Sequence, residues 1–176
     1  MRAPLAKLVR QEFKTKLHIA APEFESNKTE KVPAGCQLYS ALTPEGVAMY
    51  IMLQLDSRWD CFTVEAAISV HNRHPSNSFV GTFDAPENGE LSFRITRLWA
   101  PYDNNQTWWW LGANRLMCAP SFDGIAFEEA IDVLAARVPT VINDCVHRIS
   151  NDVLPFLRMW AKKQKGEVDE PPATLT

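Results

Sequence analysis

Two histidines three positions apart, His71 and His74, lie in the segment HNRHP and suggest chemistry more directly than any other residues. Imidazole nitrogens bind divalent metals, and a histidine whose pKa is near neutral acts as a general base. Arg73 lies between them and is suited to a phosphate group. Asp84 and Glu87 follow in the same polar stretch and are candidate additional ligands. A small metal-dependent hydrolase or nuclease is therefore one hypothesis, and a polar loop with surface histidines is the simpler interpretation.

Motifs of the common enzyme classes are absent from the sequence. It contains no GxSxG, HExxH, GxxxxGK[ST] or GxGxxG segment, and 7 glycines disfavour a phosphate-binding loop. Asp60 and Glu65 are five residues apart, which places them on opposite faces of a strand. The 4 cysteines are scattered without a CxxC pair, so we expect buried thiols rather than a zinc site. We predict no catalytic residue, no metal and no cofactor, which favours a protein that is not an enzyme.

Half of the 6 tryptophans stand side by side in NNQTWWWLG. Because neighbouring side chains of a strand point to opposite faces, Trp108 and Trp110 share one face and Trp109 takes the other. One set enters the core, and the other lies on the back of the sheet, partly covered or open to a partner. Tryptophan and arginine are frequent at the energetic centres of interfaces. We predict four binding residues, Trp59, Arg73, Trp108 and Trp110. Stacking on sugars or unpaired bases is a further alternative.

Apolar residues at spacings of three and four predict helices at both ends of the chain. Near the N-terminus the apolar stripe spans residues 3–17. In the last third a longer stripe runs over residues 127–149, where Pro139 marks either a kink or the start of a new helix. Residues 150–152, SND, are predicted to cap a final helix that ends at residue 165.

Between the helices the apolar period changes to two, which predicts strands. Five segments show this period: residues 37–42, 47–55, 61–70, 89–100 and 107–111. Both faces of the second segment are apolar, so we expect that strand to be covered on both sides. The first three segments predict an antiparallel meander, and the polar residues 21–35 and 71–88 predict loops. The fold class is α+β, with an N-terminal helix, an antiparallel sheet of about five strands and C-terminal helices packed on one sheet face.

Length and charge limit the domain organisation and the classes of partner. The 176 residues fit a single domain, predicted over residues 1–165, and residues 166–176 predict a disordered tail. The net charge of −3 argues against a dedicated nucleic-acid binder and against attraction to anionic lipid. No apolar run approaches the ~18 residues of a membrane span, and the N-terminal segment lacks the apolar stretch of a signal peptide. We expect a cytoplasmic protein that binds neither nucleic acid nor membranes.

The order of elements resembles a loose group of uncharacterised bacterial α+β domains of unknown function. The shared features are an FTVE-type core strand, an Arg-Leu pair after a later strand, a Trp near the end of the sheet and a Leu-Pro pair in the C-terminal helices. The matching positions are Tyr39, Gly46, Gln54, Phe62, Thr63, Val64, Arg97, Leu98, Trp109, Leu154 and Pro155. The resemblance implies the same fold class and, as in some members, an immunity or defence-associated interaction role. It implies no catalytic residue.

A strong core pattern without a catalytic motif predicts a non-enzymatic binding protein whose partner is another protein. The outer face of the sheet and the HNRHP segment are the expected contact surfaces. The alternatives are the metal-dependent hydrolase or nuclease and a small-ligand pocket between sheet and helices, lined by Met, Trp and Phe side chains. The oligomeric state stays open, and a homodimer is among the alternatives.

Overall fold

Three helices and seven strands form in residues 1–56, 58–75, 89–99, 107–112, 115–118 and 129–164, the parts of the chain that this computed structural model describes. For residues 97, 107 and 115–118 the backbone alone is described. The helices are α1 (Ala3–Ala20), α2 (Ile131–Arg148) and α3 (Leu154–Gln164). The strands are β1 (Glu25–Asn27), β2 (Cys36–Leu42), β3 (Ala48–Leu55), β4 (Cys61–Ser69), β5 (Glu90–Arg94), β6 (Thr107–Trp110) and β7 (Arg115–Cys118).

Helix α1 confirms the helix predicted at the N-terminus. Four residues at helical spacing form its buried stripe, each at most 1% exposed: Leu5, Val9, Phe13 and Leu17. Just before the helix, the backbone N–H and the side-chain Nε of Arg2 both donate to the Asp60 carboxylate, at 2.9 and 2.8 Å. The start of α1 is thereby tied to the residue that precedes β4.

The sheet is antiparallel throughout, with strand order β1-β2-β3-β4-β6-β7 and with β5 also paired to β4. Strands β2, β3 and β4 form the predicted meander. The turn between β2 and β3 is closed by Gly46, whose N–H donates to the Thr43 carbonyl at 2.9 Å. Its φ of 78° is a backbone conformation that favours glycine.

Strand β5 is shorter than the strand predicted over residues 89–100. It ends at Arg94 and continues as a 3-10 turn, Ile95–Leu98. The reason lies in the pairing of β4, because Glu65–Ser69 bond to β5 whereas Cys61 and Phe62 bond to β6. One edge of a strand accepts one neighbour at each position, so β5 must leave the sheet where β6 begins.

The helices pack on one face of the sheet, as predicted. The main apolar core lies there, between the helices and the inward residues of β2 to β6. A smaller buried cluster occupies the opposite face, which we call the second face: Leu38, Ala48, Tyr50, Met52 and Ala67. Strand β3 is buried along both faces except at Gln54, which confirms the prediction that it is covered on both sides.

The C-terminal helices differ from prediction at their junction. Pro139 lies inside α2, and residues Ile149–Val153 form a π-helical turn that leads directly into α3. The predicted cap at residues 150–152 is wrong, since the Ser150 hydroxyl donates instead to the Val146 carbonyl at 3.0 Å. Pro155 has no N–H and its ring crowds the carbonyl four residues back. We attribute the wider turn, in which the Leu154 N–H reaches Ile149, to that proline.

Two short strands were not predicted. Residues 21–35, predicted as a loop, include β1, and β7 follows the tryptophan strand. The sequence of β1, ESN, has no apolar alternation, so it forms only because β2 offers a free edge. The predicted tail at residues 166–176 and the start of the predicted helix at Phe127 lie outside the described residues. None of the helices described here is long and apolar enough to cross a membrane.

Candidate functional site

The tryptophan strand β6 divides its side chains between the two faces. Trp109 is fully buried on the helix face, stacked on Phe62 with ring centroids 5.6 Å apart. Its Nε1 donates to the Asp144 Oδ2 of α2 at 2.9 Å. Of the two arrangements that the sequence left open, the structure therefore has Trp109 in the main core.

Trp108 and Trp110 lie on the second face. Trp110 is 3% exposed and so offers almost no surface to a partner. Trp108 is half-buried, and the Arg94 guanidinium carbon lies 4.9 Å from its ring centroid, a cation–π contact. Trp59 is also half-buried, and its backbone N–H donates to Asp56 Oδ1 at 2.7 Å.

At the centre of the second face lies a buried carboxylate, Glu65 of β4. It is 5% exposed, and its Oε1 accepts a hydrogen bond of 2.5 Å from the Ser92 hydroxyl of β5. In the sheet register Glu65 stands opposite Arg94 on one side and Met52 on the other. A carboxylate is costly to bury without partners, and the Ser92 hydroxyl meets part of that need.

His74, from the loop after β4, lies close to Glu65. The His74 Nε2 lies 3.8 Å from Glu65 Oε1, and the ring stands edge-on to Tyr50 with centroids 5.3 Å apart. That Nε2 is buried and has no hydrogen-bond partner among the described residues. Burial lowers the pKa of His74, and the charges of Glu65, Glu30 and Glu90 oppose that change. Burial of the ring therefore favours the neutral form of His74, against the combined charge of three carboxylates.

Glu30 joins two loops across the second face. Its Oε2 accepts the backbone N–H of His74 at 2.6 Å, and its Oε1 lies 3.4 Å from Asn27 Nδ2. Asn27 in turn accepts the Glu30 N–H at 3.2 Å, which fixes the turn after β1. Burial, followed by the charge of Glu30, raises the pKa of Tyr50 beneath it. The loop after β1 thus holds the loop after β4 in place.

Residues 70–75, which we call the Arg73 loop, are held at further points. The Ser69 hydroxyl accepts the His71 N–H at 3.1 Å and donates to Glu90 Oε1 at 3.2 Å. Arg73 Nε donates to the same Glu90 oxygen at 3.4 Å, yet the Arg73 side chain is 70% exposed. Asn72 has φ of 52°, an unfavourable conformation for most residues. The loop therefore presents a charged side chain from a fixed backbone.

The four predicted binding residues do not converge. Arg73 follows the C-terminal end of β4, whereas Trp59 precedes its N-terminal end. The intervening strand has 9 residues, and a strand rises about 3.3 Å per residue, so roughly 30 Å separate the two ends. Trp108 and Trp110 lie near the Trp59 end, because β6 pairs with Cys61 and Phe62. Arg73 contacts the polar residues of the second face through Glu90.

The histidine pair also separates. His71 is exposed, whereas the His74 ring enters the cluster around Glu65. Within the described ranges there is no group of three or more His, Cys, Asp or Glu residues that could hold a metal ion. Asp84 and Glu87, the candidate additional ligands, lie outside those ranges. Any metal ion bound by His71 and His74 would need further ligands from residues outside the described ranges.

Sequence reasoning missed Glu30, Tyr50, Ser92 and the role of Glu65. Glu30 and Ser92 come from segments 35 residues before and 27 residues after Glu65, so no local spacing joins them. One signal was available, since β3 is apolar on both faces. A strand covered on both sides implies that the polar residues of the adjacent β4, Glu65 included, are buried and need partners.

Comparison with known proteins adds no function. No protein-family model, no curated protein and no solved structure matches this chain. Function must therefore be argued from the site itself.

Proposed function

We propose that this protein is a non-enzymatic binding domain that engages another protein through the Arg73 loop. The observation that carries the proposal is the contrast within the loop: Arg73 is 70% exposed, while the backbone on either side of it is hydrogen-bonded to Ser69 and Glu30. In many interfaces a few residues supply most of the binding energy, and arginine is enriched among them.

A fixed loop supports binding because it lowers the cost of association. A mobile loop loses about 0.5–1.5 kcal/mol for each side chain that becomes ordered in a complex. Here the αL conformation of Asn72 is already adopted in the free protein. Unfavourable backbone conformations persist where the surroundings enforce them, and they are frequent at ligand-binding sites.

The charge of Arg73 indicates the chemistry of the partner. Among the described residues its guanidinium contacts only Glu90, through Nε. A guanidinium has five N–H donors, so four of them have no partner among the described residues, and such a group suits a carboxylate of a partner. The net charge of −3 supports a protein partner over a nucleic acid. We extend the proposal to a cytoplasmic, defence-associated interaction role.

Site-specific photo-crosslinking in host cells tests this proposal. A photoreactive amino acid replaces His71, which is exposed and two residues from Arg73, and a control protein carries it at Arg58 on an exposed turn. We expect a discrete protein adduct from position 71 and none from position 58. The adduct must also weaken when Arg73→Ala is added. An adduct that survives Arg73→Ala unchanged would show that the loop is near the partner without binding it.

A second candidate is an enzyme that uses His74 as a general base. The observation in its favour is the unbonded His74 Nε2, 3.8 Å from Glu65 Oε1, because a neighbouring carboxylate adjusts the basicity of a histidine. The hydrolase or nuclease version adds His71 and a divalent metal. Its test is hydrolysis of bis-p-nitrophenyl phosphate with zinc or manganese. Turnover that persists in a His71→Ala, His74→Ala protein would sink this candidate.

A further inference from the structure

A cleft of about 210 Å³ lies between the second half of α1 and strand β1, on the helix side of the sheet. Its floor is apolar, because Leu17, Phe24 and Tyr39 are each at most 3% exposed there. Apolar cavities of about 150 Å³ bind benzene, so one apolar side chain fits a space of this size. The small-ligand pocket predicted between sheet and helices has Met and Trp in its lining, and this cleft has neither.

The rim of the cleft is polar, and its side chains have no hydrogen-bond or ion-pair partner among the described residues. Lys14 and His18 stand one helical turn apart on α1, and Glu25 and Ser26 of β1 stand across from them. No hydrogen bond or ion pair to any described residue engages these four side chains. The helix side of the rim therefore offers the positive charge of Lys14 to a ligand, and Lys14 forms no ion pair with Glu25 or with any other described carboxylate.

The strand beside the cleft is an edge of the sheet. Strand β1 is the first in the strand order and covers only Leu38 to Ser40 of the longer β2. In an antiparallel pair, consecutive residues alternate between bonding the partner and pointing away. A strand of 3 residues therefore keeps at least one N–H and one C=O directed outward.

We infer that this edge and cleft together form a second interaction surface, which binds an extended segment of a partner protein as an added strand. The segment pairs with β1, places one apolar side chain on Leu17, Phe24 and Tyr39, and places an acidic side chain beside Lys14. In this mode main-chain hydrogen bonds supply affinity and the side-chain pocket supplies specificity. The occupant is a peptide because the cleft is continuous with a strand edge that no other described strand pairs with. This surface is on a different part of the molecule from the Arg73 loop and does not depend on it.

The test uses capped tetrapeptides, acetyl-Val-Xaa-Val-Asp-amide, in which Xaa is Leu, Phe or Trp. Positions two and four share a face of an extended chain, so Xaa reaches the floor while Asp reaches Lys14. Binding to the full chain is followed by amide chemical shifts. We expect saturable shifts at Ser26 and Lys14 with at least one peptide. Methylation of the peptide backbone nitrogens, which removes the main-chain donors, should weaken binding about fivefold or more.

Matched charge-reversal variants of α1 test whether Lys14 binds the acidic side chain of the peptide. Lys14→Glu should weaken binding of the Asp peptide about fivefold and leave the Asn version unchanged. Lys7→Glu makes the same charge change two turns away on α1, outside the cleft, and should have no effect. Shifts that never saturate with any peptide would overturn the inference. Equal binding of the N-methylated peptides would overturn it too, because the cleft would then take an apolar group without adding a strand.

Discussion

Along β4 the two faces of the sheet are equally buried and chemically different. On the helix face β4 contributes Phe62, Val64 and Ala66, and on the second face it contributes Thr63, Glu65 and Ser69, all at most 5% exposed. An apolar face needs only complementary shape, whereas a buried polar face needs a partner for each polar group. The second face finds these partners in β5 and in the Arg73 loop, because Ser92 donates to Glu65, and Ser69 donates to Glu90 and accepts from the His71 N–H. We conclude that the helix face maintains the fold and the second face positions the Arg73 loop.

The largest loss of stability should follow from a substitution on the helix face of β6, the tryptophan strand. Trp109→Ala removes a fully buried ring and the donor to Asp144, and should lower the free energy of unfolding by about 3–5 kcal/mol. The matched Trp108→Ala on the second face should cost about 1 kcal/mol, since that ring is half-buried and contacts Arg94. Urea denaturation measures both. Equal losses would remove the distinction between the faces.

Substitutions of Glu65 and Ser92 should change the unfolding free energy less, and they show whether the polarity of the second face contributes to stability. Glu65→Ala removes the acceptor of Ser92 and should cost about 1–3 kcal/mol. A double variant, Glu65→Met with Ser92→Ala, replaces the pair with apolar groups and should be as stable as the wild type within about 1 kcal/mol. The same urea titration compares the proteins. A double variant less stable than Glu65→Ala would mean that the fold itself needs the polar pair.

Acid should weaken the second face through His74. Burial holds the folded-state pKa of His74 below its ordinary 6.5. The unfolded chain therefore takes up the proton first, and stability falls as the pH drops below 6.5, until the folded protein is protonated too. Glutamine at position 74 cannot titrate, so the stability of His74→Gln should fall less than that of the wild type as the pH drops from neutrality to below 6.5. The exposed His71→Gln should keep the wild-type fall. Identical pH profiles for the wild type and His74→Gln would contradict the lowered pKa.

The smallest change in stability should come from a substitution at the position where the buried part of the second face ends. Leu42, the last residue of β2, is 62% exposed, whereas Leu38 on the same face is 2% exposed. Leu42→Gln should change the unfolding free energy by no more than about 0.5 kcal/mol. Leu38→Gln should be clearly destabilising, because a buried amide there has no obvious partner. Thermal unfolding of the two variants suffices. A clear loss in Leu42→Gln would mean that the covered area extends to the end of the strand.

The helices and the central strands could be predicted because their signals are local. The stripe of α1, the alternation in β4 and the two-sided apolar pattern of β3 are all read within one segment. The strand end at Arg94 and the π-helical turn before Pro155 depend on neighbours or backbone crowding that no short pattern records. The polar centre could not be predicted for the same reason. Its members reach Glu65 from separate loops and strands, and only the register of β4 with β5 and the folded loops brings them together.

The most direct test of the account is the affinity of Arg73→Ala for the partner identified by crosslinking. Isothermal titration compares the wild type, Arg73→Ala and Arg58→Ala, each checked by urea denaturation. The account predicts that Arg73→Ala binds at least about tenfold more weakly at unchanged stability, while Arg58→Ala binds as the wild type does. Equal affinity of Arg73→Ala and the wild type would contradict the proposal that the protein binds its partner through Arg73.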